Sequence, residues 1–232
     1  MKPTKFPIWT YSKLSTFQSC PRQYQAQYVT KEVPYVESEQ IKFGNELHKA
    51  AELYVKLNTP IPDNFTFIQP YLDRLLGIEG KRYIELKLAI AIHNGQFTSC
   101  DYWDKDCWWR GVVDLLIHNT YKDRAYLIDY KSGKNAHYAD TKQLAILATA
   151  VFLNFPRVKI IKGMLLYLVS KEIVKEEYEF ERRFEVLAKL NPDLKRMKVA
   201  HETGVFNPIQ GPFCKKWCGV VSCIYNGSYS GE

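Results

Sequence analysis

The spacing of apolar residues changes period several times along the 232-residue chain, and each change predicts an element. In FGNELHKAAELYVKL, apolar side chains recur at Phe43, Leu47, Ala50, Tyr54 and Leu57, the spacing of one helical face, with His48 beside that stripe. Upstream, Ser12 is expected to cap a short helix carrying Leu14 and Phe17. Pro21 suits the first position of a second helix that displays Tyr24 and Tyr28. The three prolines of NTPIPDNFTFIQP mark a loop, which leads to a short helix over 71–76. KRYIELKLAIAI reads as a strand and HNGQFTSCDYWDKD as polar turns. The β-branched and aromatic runs CWWRGVVDLLI and AYLIDYK follow as two more strands of a meander. A helix is expected over 139–155, with Leu144, Leu147 and Val151 on one face, then a strand in VKIIKGMLLYLV and a charged helix over 179–190. Three strands, a helix, a strand and flanking helices make an α/β sandwich around a central mixed sheet. Neither internal repeats nor low-complexity tracts interrupt the pattern, and YNGSYSGE at the end reads as frayed.

At this length, and with 46% hydrophobic residues, the chain can bury one sizeable core, so a single domain over residues 1–232 is expected. Lys and Arg exceed Asp and Glu by 32 to 25, a formal charge of +7 that agrees with an acidic partner such as nucleic acid and equally with simple solubility. The start, MKPTKFPIWTYSK, lacks the apolar core of a leader, and no window approaches the roughly 18 apolar residues of a spanning helix. A soluble, cytoplasmic protein with no membrane partner is the expectation. In that compartment six cysteines point to metal ligation or redox chemistry ahead of disulfides.

LIDYKSGK ends an apolar run with an acid, an aromatic and a base. Alternate strand residues share a face, so Asp129 and Lys131 point together, roughly 7 Å apart, while Tyr130 turns its side chain away. If the strands 108–117 and 125–131 form a hairpin with an even turn, residue 112 faces 129 and Asp114 lies diagonally beside Asp129. Converging, partly buried carboxylates call for a compensating cation, and a hard divalent ion with oxygen ligands meets that need. Such an ion can bind a phosphate oxygen and acidify a water, with the lysine orienting the nucleophile, which is phosphodiester hydrolysis. The tripeptide alone is common here, recurring at 79, 85, 140 and 193. Of these only Glu85 and Lys87 also lie on a strand, and they compete for the role.

Four stretches, in order, resemble the PD-(D/E)XK nuclease superfamily and its RecB-like branch. They are YSKLSTFQSCPRQYQAQYV, FGNELHKAAE, the pair GVVDLLI and LIDYKSGK, and QLAIL, together covering most of 11–147. The resemblance implies a restriction-endonuclease-like fold. It also implies that His48, Asp114, Asp129 and the backbone carbonyl of Tyr130 hold Mg²⁺ or Mn²⁺, and that Lys131 is the base or orients the water. By the same likeness Gln143 supports the site or touches DNA, and Glu85 matches a supporting acid on the first strand. His93, His118, His137 and His201 match nothing in it and read as surface or loop residues.

Cys214, Cys218 and Cys223 lie in the turn-rich GPFCKKWCGVVSC, where three thiolates can converge on one ion or cluster. In iron–sulfur members of the resembling family the fourth ligand is the cysteine of the Cys-Pro segment, here Cys20, which implies a [4Fe–4S] cluster joining the two ends of the domain. The chain has C-x3-C-x4-C where the family has C-x2-C-x5-C, so zinc and reduced buried thiols stand as alternatives. Cys100 and Cys107 read as packing residues.

Trp103, Trp108, Trp109 and Arg110 combine stacking faces with a cation, suited to unpaired bases. Strand alternation sends Trp108 and Trp109 to opposite faces, so one of them belongs to the core. Arg22, Lys31, Lys49, Lys134 and Lys142 are scattered, and the likeness alone suggests a DNA channel. The expected function is a metal-dependent exonuclease acting at DNA ends in recombination, replication or DNA processing, alongside proteins of those processes and with a phage origin. A structure-selective endonuclease and a non-catalytic DNA-binding module held by a metal cluster are the competing readings.

Overall fold

The computed structural model describes residues 6–34 and 36–230. The first five and last two residues, on which parts of the expectations for the chain's start and end fall, lie outside the described residues. Those described form two compact units, one of residues 37–187 and one built from the chain ends, 1–36 and 188–232.

The larger unit is a six-stranded mixed sheet with helices on its faces. Its strands are β1 (Lys81–His93), β2 (Gln96–Ser99), β3 (Cys107–Asn119), β4 (Arg124–Lys131), β5 (Ile160–Tyr167) and β6 (Glu172–Glu179), in spatial order β2-β1-β3-β4-β5-β6. All neighbours are antiparallel except β4 and β5, which run parallel and so require a crossover. The crossover is α5 (Lys142–Asn154), buried along Leu144, Leu147, Ala148 and Val151. The α/β sandwich with a central mixed sheet is therefore the observed fold.

On the other face lies α3 (Glu39–Leu57), opened by Ser38, whose hydroxyl accepts from the Ile41 amide at 3.3 Å, and closed by the left-handed Asn58. Leu47 and Ala50 of the expected stripe are buried, with Leu72 and Leu75 of α4 (Gln69–Leu76), against Leu115, Ile117, Ile128 and Tyr130. Phe43 and Leu57, at the ends of the stripe, are exposed.

Three expectations about this part of the chain's strands and helices fail. The polar stretch after β1 contains the short edge strand β2, because the Asn94–Gly95 turn, with both residues at positive φ, folds it back as a hairpin. The charged helix expected over 179–190 starts later, as α6 (Glu185–Thr203), and the segment before it, to which the pattern assigned no element, is the edge strand β6 (EIVKEEYE), exposed over most of its length. An edge strand needs little hydrophobic signal, and charge protects it from pairing with other chains. The β3–β4 register also differs: Leu115 faces Ile128, which brings position 114, not 112, level with 129.

The second unit packs α1 (Tyr11–Ser19), α2 (Pro21–Tyr24), a π-helical continuation over Gln25–Val29, and α6 from residue 188 onward. Thr10, two residues ahead of the expected Ser12, caps α1, its hydroxyl accepting from the Lys13 amide. Gln18 donates to Asp193 at 2.7 Å, and Leu190, Leu194 and Met197 line the buried face of α6. His118 and His201 are not loop residues. His118 is buried in β3 beside Phe155, and His201, hydrogen-bonded to the Tyr24 hydroxyl at 3.0 Å, packs among Tyr24 and Phe206. Among the described residues no helix is long and apolar enough to cross a membrane.

Candidate active site

The end of β4 carries three consecutive residues with divided orientations. Asp129 and Lys131 turn toward α5, where Gln143 completes a closed ring. Lys131 Nζ lies 2.5 Å from Asp129 Oδ2 and donates to Gln143 Oε1 at 2.9 Å, and Gln143 Nε2 donates to Asp129 Oδ1 at 3.0 Å. Asp129 is buried, so the ammonium and the amide supply the compensation that water cannot.

Tyr130 turns to the other side, yet not away from the site. Its ring meets His48 edge-on at 5.9 Å, and its amide donates to Asp114 Oδ2 at 2.6 Å. His48 Nδ1 is 3.6 Å from the same Asp114 oxygen. The Tyr130 hydroxyl is buried with no hydrogen-bond partner, and burial, then the charges of Asp114 and Glu85, push its pKa up. Strand alternation alone shows only that Tyr130 opposes Asp129; that α3 brings His48 to that side is a tertiary fact.

Glu85 reaches this site through an irregular backbone. Ile84 faces Leu115 and Leu86 faces Val113, which leaves Glu85 level with Asp114 at a break in the ladder. Glu85 has φ 52°, a left-handed conformation that costs a non-glycine residue of order 1 kcal/mol. Ile84 and Leu115 pack in the core under α3, while Glu85 and Asp114 line a cleft with α3 residues, so consecutive residues of both strands turn to one side. The pleat slips by one in both strands together, and two carboxylates emerge at one spot.

The cleft, about 550 Å³, is lined by Gly44, His48, Lys49, Glu85, Val112, Asp114 and Ser132 among others. Gly44, one turn before His48, lets α3 close on the segment after Lys131, since a Cβ there would sit 2.8 Å from Ser132 Oγ. The sequence motif glycine thus sets the approach of its own histidine.

The electrostatics follow from crowding. Burial and then the charge of Asp129 push the Asp114 carboxyl well above the usual carboxylate range. Burial and then Glu52 raise Glu85, and burial lowers His48, which is therefore neutral at pH 7 and able to offer a lone pair. Oxygen donors plus a neutral imidazole suit a hard divalent ion, and three carboxylates in mutual reach with one close ammonium leave room for added positive charge. Among the described residues, however, no group of three or more His, Cys, Asp or Glu is arranged to hold a metal ion. At Asp129 the Lys131 ammonium supplies the positive charge.

The four predicted cluster cysteines all belong to the second unit. Cys20 Sγ accepts from the Ile209 amide at 3.4 Å, and Cys214 Sγ accepts from the Gly211 amide at 3.3 Å, on the same turn. Cys223 is buried with Ala26 and Val220, and Cys218 packs on them.

The profile of the PD-(D/E)XK nuclease superfamily matches residues 8–223. No curated protein matches the chain significantly. Among solved structures, a protein of Eubacterium rectale with the provisional designation exonuclease is similar at 11% identity and TM-score 0.51, with 90% of this chain and 86% of that one covered. SSO0001 is similar at 12% identity and TM-score 0.41, with 82% and 77% covered. The likeness to the Eubacterium rectale protein is one of fold. The profile spans nearly the whole chain, including the strand ends and helix turns just described, and by it the chain belongs to the PD-(D/E)XK nuclease superfamily.

Proposed function

We propose that the protein is a divalent-metal-dependent deoxyribonuclease of the RecB-like branch, an exonuclease that works at DNA ends. The observation that carries this reading is the closed ring of Asp129, Lys131 and Gln143, backed across the strand by Asp114, His48 and Glu85. Asp114, Asp129, His48 and the Tyr130 carbonyl would hold Mg²⁺ or Mn²⁺, with Glu85 in support. When bound, the ion supplies charge to a phosphate oxygen and acidifies a water. Lys131 then has two tasks in turn: in the free enzyme its ammonium neutralises Asp129, and with substrate present it orients the attacking water and offsets charge at phosphorus. Gln143 holds Lys131 and Asp129 at fixed separation throughout.

The exonuclease assignment draws on the RecB-like motifs and on the designation of the Eubacterium rectale neighbour. In the second unit, Cys20, Cys214, Cys218 and Cys223 would ligate a [4Fe–4S] cluster, with zinc the alternative. Two of these sulfurs already accept backbone amide hydrogen bonds.

Digestion of end-labelled linear DNA, single- and double-stranded, with Mg²⁺ or Mn²⁺ tests the function. Release of mononucleotides or short products from one end is expected, with covalently closed circles left intact. Cleavage of closed circles would establish an endonuclease instead, and inertness on every substrate would leave a DNA-binding module.

A further inference from the structure

Beyond the carboxylates, the side of β1 and β3 that forms the cleft continues in a row. Val112 lines the cleft and pairs with Lys87; two residues further on, Arg110 pairs with Ala89. The charge of Lys87 is felt at Glu85, as a shared surface requires. At roughly 3.3 Å per residue, Lys87 lies about 7 Å from Glu85 along the strand, and Arg110 about 13 Å from Asp114.

Over this row sits the loop 100–107. Lys87 Nζ is 5.0 Å from the Trp103 ring and 5.7 Å from that of Tyr102, and Arg110 Cζ is 5.4 Å from Tyr102 and 5.9 Å from Trp103. The two rings meet edge-on at 5.0 Å. Trp103 is nonetheless 68% exposed. The loop that presents it is braced: the Trp103 amide donates to Asp101 Oδ1 at 2.8 Å, the Asp106 amide to Asp104 Oδ1 at 2.9 Å, and Arg110 to the Asp104 carbonyl at 2.8 Å. Cys100 and Cys107 bring their sulfurs within 3.1 Å at its base. Two of the loop's aspartates therefore spend a carboxylate oxygen on its own backbone, while its largest apolar surface faces water beside two cations.

A rigid exposed indole next to a lysine and an arginine, in line with a phosphodiester-cleaving site, is the arrangement that holds an unpaired strand, since a base in a duplex has no free face to stack. We propose that Trp103, with Tyr102, Lys87 and Arg110, forms a subsite that stacks a base of a single DNA strand and binds its backbone while the scissile phosphate lies at Asp114 and Asp129. The subsite rests on the nuclease reading and specifies its substrate: a strand that is single where it crosses the cleft.

The test measures binding of a labelled oligothymidylate and of a blunt duplex by fluorescence anisotropy, with Ca²⁺ in place of Mg²⁺, for the parent protein, Trp103→Ala and Trp103→Phe. Hydrolysis of bis(p-nitrophenyl) phosphate with Mn²⁺, a substrate too small to reach the loop, is followed in parallel. Trp103→Ala should weaken the single strand by at least about fivefold, the lower end of the cost of losing one stacked base. The duplex should change less, Trp103→Phe should retain most of the affinity, and small-substrate hydrolysis should stay at the parent rate. Equal affinity of Trp103→Ala and parent for the single strand, or an equal loss on the duplex, overturns the subsite while leaving the nuclease reading in place. A parent protein inactive on both the small substrate and DNA overturns the nuclease reading, and the subsite with it.

Discussion

Lys131 holds its ammonium 2.5 Å from Asp129 Oδ2, so a side chain expected to serve a water molecule is also the counter-ion of a buried carboxylate. Removing it leaves a charge without compensation. Lys131→Ala should abolish DNA hydrolysis and lower metal-free stability by about 2–4 kcal/mol, somewhat under the roughly 3–5 kcal/mol of breaking a fully buried pair because the Lys131 side chain keeps 28% exposure. Mn²⁺ should restore much of the lost melting temperature without restoring activity, which differential scanning fluorimetry with and without Mn²⁺ can show. A melting temperature unaffected by the substitution would mean that the pair contributes nothing to stability.

Asp114 should behave in the opposite sense. Its folded-state pKa is raised, so the proton it binds contributes stability that is full below the ordinary carboxylate range and is lost as pH rises through the raised value. Asp114→Asn keeps an oxygen for the Tyr130 amide and removes the charge. The variant should be inactive yet melt higher than the parent at neutral pH without metal, by roughly 2–4 °C for each kcal/mol recovered. The gap should close as the pH is lowered into the carboxylate range, where the parent carboxyl is protonated too.

The same proton competes with any cation. Mn²⁺ affinity, followed by isothermal titration calorimetry in buffers of different ionisation enthalpy, should rise with pH above the ordinary carboxylate range and be accompanied by proton release. Binding without release would place the ion away from Asp114.

Gln143 contributes one bond to each partner in the ring. Gln143→Ala should reduce kcat by about 10- to 100-fold, the range for losing a residue that orients a ligand, with KM for DNA little changed. Gln143→Glu should be worse than Gln143→Ala, because it sets a second carboxylate against Asp129.

Anaerobic preparation should give a coloured protein with a broad visible absorbance, lost in Cys20→Ser. A colourless protein holding stoichiometric zinc would assign the cysteines to zinc.

The strands that carry Asp114, Asp129 and Lys131 were legible because their apolar runs are long and their motifs stand at the ends. β6 was not, because a charged edge strand carries little of the hydrophobic alternation that sequence reading relies on. The β3–β4 register escaped because the turn between the strands fixes it, and the observed pairing lies two residues from the expected one, a shift that leaves the hydrophobic alternation unchanged. His48 was readable through its motif, but its contact with Tyr130 depends on how α3 docks beside Gly44. Nothing in KRYIELK marks Glu85 as left-handed, since the cause lies in the neighbouring strand.

The paired slip at Glu85 and Asp114 separates foldability from activity. Glu85→Gly would ease a left-handed backbone at the expense of one acid, so that the strand gains where the chemistry loses. Conversely, any change that restored regular pleating to β1 and β3 would preserve the sheet and its core while sending both acids together to the α5 side, away from His48. Such a protein would pass every test of folding and have no place to bring a phosphate.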